Sequence, residues 1–405
     1  MVEQIILSSN SKDINGLSVE SIGPKTGDSF SEQVDSCMDQ LSCMLIHGNE
    51  ESYRIAQQTF FISARNWKEY EQKSSLIRKK LSAIAGAVQP ATSIVAQSPR
   101  PGSDVVLELI CTKTEKGKTI DYKQAAGLNY TVVSYGTFKV VHASGMMGAP
   151  GDSIRESAEK AFLGATEILS KEGLSVHHIV RQWNYVEDIA RVKDVENTAQ
   201  NYQVFNNARA RYYENGSFKN GYPAATGIGM TTGGVIIGFI AISQSEQVVI
   251  SPIHNPKQID AHKYSENKLA GRPTGIMNEK CTPKFERAKM VLQGDKVYMY
   301  ISGTASIVGE DTQHVGDVGK QTTTTIENIF ELFSPENQKT YGLSFDISQI
   351  EFSHLRIYVK HRKDIPAVQS ICESMLRSKS SLYLESDICR EELLVEIEGI
   401  FLITG

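Results

Sequence analysis

The sequence predicts a mixed α/β fold of the α+β kind, made of two similar units fused in one chain, each a mixed sheet with helices packed on one face. Two observations carry this expectation. From Tyr130 onward the order strand–helix–strand–helix–strand–strand occurs twice, and the first strand of each copy contains a Ser-Gly pair, Ser144-Gly145 and Ser302-Gly303. Helices interleaved with strands in this order bury one sheet face beneath the helices. The copies share little identity, so the repeat rests on element order and on that pair. The expected division is residues 1–245, with a divergent N-terminal region and a helical segment at 51–87, and residues 246–405.

In order along the chain, residues 1–50 are polar, rich in Ser, Gly and Asp, with strand-like runs such as EQIILSS. They predict one or two loosely packed strands and little chemistry. ESYRIAQQTFFISARNWKEYEQKSSLIRKKLSAIAGA, at 51–87, has apolar residues at helical spacing among strong helix formers and predicts a helix. Pro90 to Asp104 is turn-rich. VVLELICTK predicts a strand, and Gly117 lies in a polar turn before a hairpin-like return.

The first copy opens with the strand FKVVHASGMMG. The helix DSIRESAEKAFLGATEILSKEG follows, with an apolar face including Ile154, Ala158, Phe162 and Ile168 and with Gly173 where a C-cap would sit. HHIVRQWNYVEDI, the helix TAQNYQVFNNARARYYENG, PAATGIGM and GGVIIGFIAIS complete it. The second copy runs through KVYMYISGTASIVG, the helix GDVGKQTTTTIENIFELF, SHLRIYVKHRKDI, the helix IPAVQSICESML, SSLYLESDI and ELLVEIEGIF. Between the copies, Ser251 to Arg287 lacks periodicity. Long irregular segments inside compact proteins are often functional, which singles out Tyr264, Arg272 and Arg287.

Composition narrows the function. With 405 residues, 40% hydrophobic and 22% charged, the chain can bury a sizeable core. A net charge of −5 offers nothing to nucleic acid. No apolar run approaches a membrane span, and MVEQIILSSNSKD lacks a basic region followed by an apolar one. The six cysteines form no CxxC pair, so structural zinc and a disulfide framework are not expected, and a reducing cytoplasm fits.

The chemistry concentrates at the C-terminus, in LESDICREELLVEIEGIF (Leu384 to Phe401), which reads as two short strands with a polar turn between them. Glu396 and Glu398 alternate with apolar residues and so share one face of a strand. That face is either exposed or lines a cleft where one glutamate does acid–base chemistry, since an unpaired buried charge is costly. Arg181, Arg209, Arg272, Arg287, Lys360 and Arg362 are cations that would suit a carboxylate-bearing substrate if some converge near Glu396. GTASIVG follows a strand and could offer backbone N–H groups to an oxygen. His177 and His178 face opposite ways if they lie on a strand, and His314 is a loop residue. Cys389 has no histidine near it in sequence, which favours a structural or steric role over a nucleophilic one.

RQWNYV, FNNARA, YPAATGIG, NPKQIDAHKY, GRPTG, FERA, ISGTASIVG, HVGDV and DICREELLVEIEG, from about Val180 to the C-terminus, resemble the motifs of chorismatases in content and order. The second copy also looks like the reactive-intermediate deaminase (YjgF-type) superfamily, whose members are mostly trimers with ligand sites at clefts between protomers. The resemblance implies a cofactor-independent enzyme that removes the enolpyruvyl group of chorismate, a dicarboxylate, as pyruvate. It implies Glu396 as the acid that protonates the enol-ether methylene, with Glu398 secondary, and Tyr264, Arg272, Arg287 and Arg209 as substrate-holding residues. Gly303 and Cys389 match the branch that forms 3-hydroxybenzoate, whereas hydrolysing members tend to have Ala at both positions. No metal is implied, and the chain is either monomeric or packed as a homo-oligomer. Three alternatives remain: a hydrolase giving a dihydroxycyclohexadiene carboxylate, an imine deaminase, and a non-catalytic binder of small metabolites. Deaminating members use an arginine at about the position of Ser381, which weakens the second.

Overall fold

The structure, a computed structural model, describes residues 17–25, 27–46, 53–85, 89–192, 199–214, 218–268, 280–294, 296–344, 346–347 and 350–404. The first elements are β1 (Leu17–Ile22), α1 (Phe30–Ile46), β2 (Tyr53–Ile62), α2 (Trp67–Ala85), β3 (Ala91–Val95), the short β4 (Ser98–Pro99) and β5 (Val105–Lys113). Two expectations fail here. The segment 51–87 is not one helix: YRIAQQTFFI is a strand and the helix starts at Trp67. The turn-rich segment Pro90–Asp104 contains β3, which pairs in parallel with β2. Together β1-β5-β2-β3 form a four-stranded sheet, so the N-terminal region is a third α/β unit.

The second sheet contains β6 (Thr119–Ala125), β7 (Leu128–Ser134), β8 (Lys139–Met147), β9 (Ile179–Glu187), β10 (Ala224–Met230) and β11 (Val235–Ile242), with helices α3 (Ile154–Lys171) and α4 (Asn201–Tyr213). The return after Gly117 crosses between sheets, because β6 pairs with β7 rather than β5. Helix α3 matches its expectation. Ser153 and Glu156 form a capping box, Ile154, Ala158, Phe162 and Ile168 are buried, and Gly173 takes φ +67° just beyond the end. His177 and His178 lie in a turn before β9 rather than on the strand, and both approach the Ser175 hydroxyl through Nδ1.

The third sheet contains β12 (Val248–Ile253), β13 (Ala288–Gln293) and β14 (Lys296–Ala305), then β17 (Phe352–Val359), β18 (Ser381–Glu385) and β19 (Val395–Thr404). Its helices are α5 (Val318–Glu331), α6 (Pro335–Tyr341) and α7 (Ile365–Met375), and a small ribbon is formed by β15 (Ile307–Val308) and β16 (Asp311–Thr312). The stretch Leu384 to Phe401 does hold the end of one strand and the start of another. They are not neighbours, because β17 lies between β18 and β19.

The three sheets follow one plan. The second runs β10-β9-β11-β8-β7-β6 and the third β18-β17-β19-β14-β13-β12, each beginning with a parallel pair, with β4 added outside β18. The first runs β3-β2-β5-β1 and lacks the last two strands. Each sheet also meets the next in a cycle: β14 packs on β10, β8 on β3, and β1 on β17. Apolar residues from all three inner faces, among them Phe61, Trp183, Ile240 and Ile400, share one central core. The helices cover the outer faces through separate cores. Among the described residues, no helix is long and apolar enough to cross a membrane.

Candidate active site

The cyclic packing gives three related junctions between sheets, and the register shows why one of them is chemical. In the third sheet β14 bulges against β19 between Ile301 and Thr304, the step that holds Gly303. In the second sheet β8 bulges against β11 at the step that holds Gly145. The two Ser-Gly pairs therefore mark equivalent positions. Beyond the bulge, Glu396 lies opposite Tyr358, Ile236 opposite Tyr185 and Val106 opposite Phe61. An aromatic residue recurs in all three units, while the carboxyl occurs once.

Glu396 and Glu398 share the inner face of β19, and both are buried, at 4% and 3% exposure. The exposed-face alternative is thereby excluded. Their environments differ. Glu398 is pushed up by burial, but Arg181 and Arg356 outweigh that and hold it below the ordinary carboxylate range. Arg181 Nη2 lies 2.6 Å from Oε2, Arg356 Nη1 lies 3.1 Å from Oε1, and Trp183 Nε1 donates to Oε1 at 2.8 Å. Arg356 is shared with Glu108 of β5, which also contacts His354 Nε2 at 2.8 Å. This cluster joins residues from all three sheets.

Among the described residues Glu396 has no such pair. Burial, and then the charge of Glu398, raise its carboxyl from 4.5 to about 8, while Arg181 and Arg287 offset this only in part. Two carboxyls in one buried patch, with values pushed apart, are the arrangement expected of an acid beside a permanent anion. A Cβ added at Gly303 would overlap Glu396 Oε1 and meet Thr226 Cγ2 at 3.1 Å. Gly303 N donates to Thr226 Oγ1 at 3.0 Å, and Arg181 Nη2 donates to the same oxygen at 2.7 Å. Thr226 thus fixes the glycine backbone to the guanidinium that holds Glu398.

Cations border the acid. Arg287 is 4% exposed, and its Nη2 donates to Tyr264 Oη at 2.7 Å and to Ile259 O. The Tyr264 ring has the Arg287 guanidinium at 5.5 Å and that of Arg390 at 5.3 Å. Arg209, 1% exposed on α4, donates to Asn206 Oδ1 at 2.7 Å. Arg209 Nε and Arg287 Nε are buried without an acceptor among the described residues. Buried guanidinium N–H groups are costly unless an acceptor meets them, which suits both to a ligand carboxylate. Helix α4 also holds the connecting segment, since Gln203 donates to Cys281 O at 2.9 Å.

Burial, with the nearby Glu396 charge, pushes the Cys389 thiol up to about 12, against a small opposing effect from Arg390. A thiol held in this way is a poor nucleophile at neutral pH. Tyr202 links the set: its hydroxyl is held protonated by burial and feels Cys389, Arg209, Glu396 and Tyr264.

Of the residues singled out in the sequence, Glu396, Gly303, Cys389, Tyr264, Arg287 and Arg209 are placed by these contacts around one region. Arg272 and the GRPTG motif lie outside the described residues. Lys360 and Arg362 do not join the site: Lys360 donates to Glu391 O, and Arg362 faces the carbonyls of Arg100 and Ser103. Ser381 begins β18 and bonds Ser378. His314 is exposed in its loop. Sequence reasoning missed Thr226, Tyr202, Arg390 and the roles of Arg181, Arg356 and Glu108. The signal for Tyr202 alone was its place in NYQVFNNARA, a helix whose polar residues Asn201, Gln203, Asn206, Asn207 and Arg209 are buried.

Comparison with known proteins gives the chain its relatives. A family model described as "Chorismatase FkbO/Hyg5-like, N-terminal" matches residues 115–241. A 3-hydroxybenzoate synthase of Streptomyces hygroscopicus is 32% identical over 257 residues, covering 62% of this chain and 71% of that protein. A chorismatase of Streptomyces rapamycinicus is 35% identical over 226 residues, covering 55% of this chain and 63% of its own length. The fold matches a crystal structure of a chorismatase with a TM-score of 0.65 at 22% identity, over 96% of this chain and 99% of that one. With its repeated sheets, its buried Glu396 and Glu398 on one strand face and these relatives, the chain belongs to the chorismatase family.

Proposed function

We propose that this protein converts chorismate in the cytoplasm, releasing pyruvate from its enolpyruvyl ether and leaving 3-hydroxybenzoate. The observation that carries the proposal is the buried Glu396 carboxyl, without an ion pair among the described residues, raised to about 8 and bordered by cations. Chorismate is a dicarboxylate. Arg287, Arg209 and Arg272 hold its carboxylates, and Tyr264 keeps the Arg287 guanidinium in place. Protonation of an enol ether occurs at carbon and needs a positioned acid that is still protonated near neutral pH, which Glu396 supplies. The oxocarbenium ion so formed gains stability from the fixed negative charge of Glu398. C–O cleavage sends the bonding pair to the pyruvate carbonyl, and the electron-deficient ring returns a proton to the Glu396 carboxylate as it becomes aromatic. In this division of labour residues 246–405 supply the acid, and residues 1–245 supply Arg209, Thr226 and the guanidinium of Arg181.

The product assignment rests on Gly303 and Cys389 and on the name of the first relative. Pyruvate and 3-hydroxybenzoate together contain the atoms of chorismate, so this branch consumes no water. Hydrolysis to the dihydroxycyclohexadiene carboxylate adds one. Incubating the protein with chorismate, assaying pyruvate with lactate dehydrogenase and separating the aromatic products by chromatography tests both parts. Pyruvate with 3-hydroxybenzoate supports the reading. Pyruvate with the diene alone removes the branch assignment, and saturable binding without pyruvate removes the enzyme.

A further inference from the structure

Behind the Arg287–Tyr264 contact lies a second cluster of donors. His254, Asp260 and Glu286 each direct one ligand atom into a common space, with those atoms within 4.8 Å of one another. His254 Nδ1 is 2.9 Å from Asp260 Oδ1, and the second Asp260 oxygen takes Lys263 Nζ at 2.8 Å. Glu286 is 3% exposed. Its Oε1 accepts from Tyr222 N at 2.9 Å, whereas its Oε2 is buried with no hydrogen-bond partner among the described residues. A buried carboxylate oxygen without a donor costs stability unless a cation meets it. Lys289 is near enough to feel the Glu286 charge, but its ammonium donates to Asn220 O at 2.5 Å and not to Oε2.

We propose that His254, Asp260 and Glu286 hold one divalent transition-metal ion of the zinc type, with water completing the coordination on the exposed side of His254. One imidazole nitrogen and two carboxylate oxygens form a donor set that suits zinc or cobalt, and three protein ligands leave a position open to water. Tyr222 N–H already orients the Glu286 carboxylate, as outer-shell donors do in such sites. Ligand bonds of about 2.0–2.2 Å set tetrahedral ligand atoms about 3.4 Å apart, so His254 Nδ1 and Asp260 Oδ1, 2.9 Å apart here, part slightly, and any wider pair, up to the 4.8 Å limit of the cluster, closes up. The half-exposed His254 supplies that movement, and the exposed Lys263 gives up its hold on Asp260. The backbone of His254 stays fixed, because its carbonyl accepts from Asn337 at 2.8 Å.

The position gives the ion a purpose. Asp260 directly follows Ile259, whose carbonyl holds Arg287, and Glu286 directly precedes Arg287. An ion shared by these ligands ties the connecting segment that carries Tyr264 to the strand edge that carries Arg287. It organises the cation subsite and touches neither Glu396 nor the reacting atoms.

The test uses the full chain stripped with a chelator and then titrated with cobalt(II) chloride, followed by visible absorption, and with zinc chloride, followed by calorimetry. One cobalt per chain with d–d bands, displaced by zinc, is the expected result. His254→Ala, at an exposed position, and Glu286→Gln should each lose that stoichiometry, with circular dichroism confirming that the variants are folded. If Glu286→Gln fails to fold, His254→Ala decides alone. Absence of binding by the wild type at 100-fold excess metal would overturn the site. So would full binding by folded His254→Ala, or an intense thiolate-to-cobalt charge-transfer band showing that cysteines hold the ion. These readouts do not depend on turnover, so the metal site and the chorismate reading stand or fall separately.

Discussion

The Glu396 carboxyl occupies the space that a side chain on Gly303 would need: a Cβ there would overlap Oε1 and lie 2.9 Å from Cδ. A glycine at this bulge is therefore what allows the acid its present position. Gly303→Ala should force the carboxyl to rotate and lower the rate of pyruvate release. With Cys389→Ala in addition, the wall beside the ring opens to water, and the diene share of the product should rise. Chromatography of the products from both variants checks this. An unchanged product ratio in the double variant would remove these residues from product control.

Glu398 matters more than a secondary role implies. It is ion-paired to Arg181 and Arg356 inside the core. Removing one partner of a buried pair commonly costs about 3–5 kcal/mol. Glu398→Gln should lower the denaturation midpoint, and it should also move the basic limb of the pH–rate profile to lower pH, since the like charge that raises Glu396 is gone. A variant with wild-type stability and an unmoved profile would contradict the pairing.

The cation subsite predicts a binding effect. Arg287→Lys keeps the charge but cannot hold Ile259 O, Tyr264 Oη and a substrate carboxylate together. Truncating a buried charged partner costs roughly 2–5 kcal/mol, and Lys should fall toward the low end. KM for chorismate should rise at least tenfold with a smaller change in kcat. A normal KM would take Arg287 out of the site.

The raised Glu396 carboxyl also links pH to stability. Its folded value lies above its unfolded one, so the protonated form is favoured by folding. The stabilisation is complete below about 4.5, the ordinary value, and is lost as pH rises through about 8. Wild-type stability should decline across that window relative to Glu396→Gln, which has no charge to bury. Chemical denaturation at pH 5, 7 and 9 checks the sign. A Glu396→Gln variant that was less stable than wild type at pH 9 by the same margin as at pH 5 would deny the burial penalty.

Much of this was legible in the chain. The alternation in LLVEIEG placed both glutamates on one face, and the Ser-Gly pairs marked equivalent bulges in two sheets. What alternation does not reveal is which carboxyl is paired. Arg181 and Glu398 are 217 positions apart, and only the cyclic packing of the sheets joins them. The strand YRIAQQTFFI was hidden because it is buried along nearly its whole length, Gln57 and Gln58 included, so it has no polar alternation to betray a two-residue period. The β3 residues ATSIV sit among prolines that read as turns, and their strand exists because β2 is there to pair with them. The donors His254, Asp260 and Glu286 have no ligand spacing in sequence, which is why no metal was expected.

The most direct measurement is pyruvate release by Glu396→Gln under saturating chorismate, with folding confirmed by circular dichroism and binding followed by calorimetry. Glutamine keeps the shape and the hydrogen-bonding capacity but has no acidic proton. General acid catalysis commonly contributes about 10²- to 10⁴-fold, so turnover should fall at least 100-fold while chorismate still binds through the untouched arginines. A folded variant that kept most of the wild-type turnover would contradict the assignment of Glu396 as the acid.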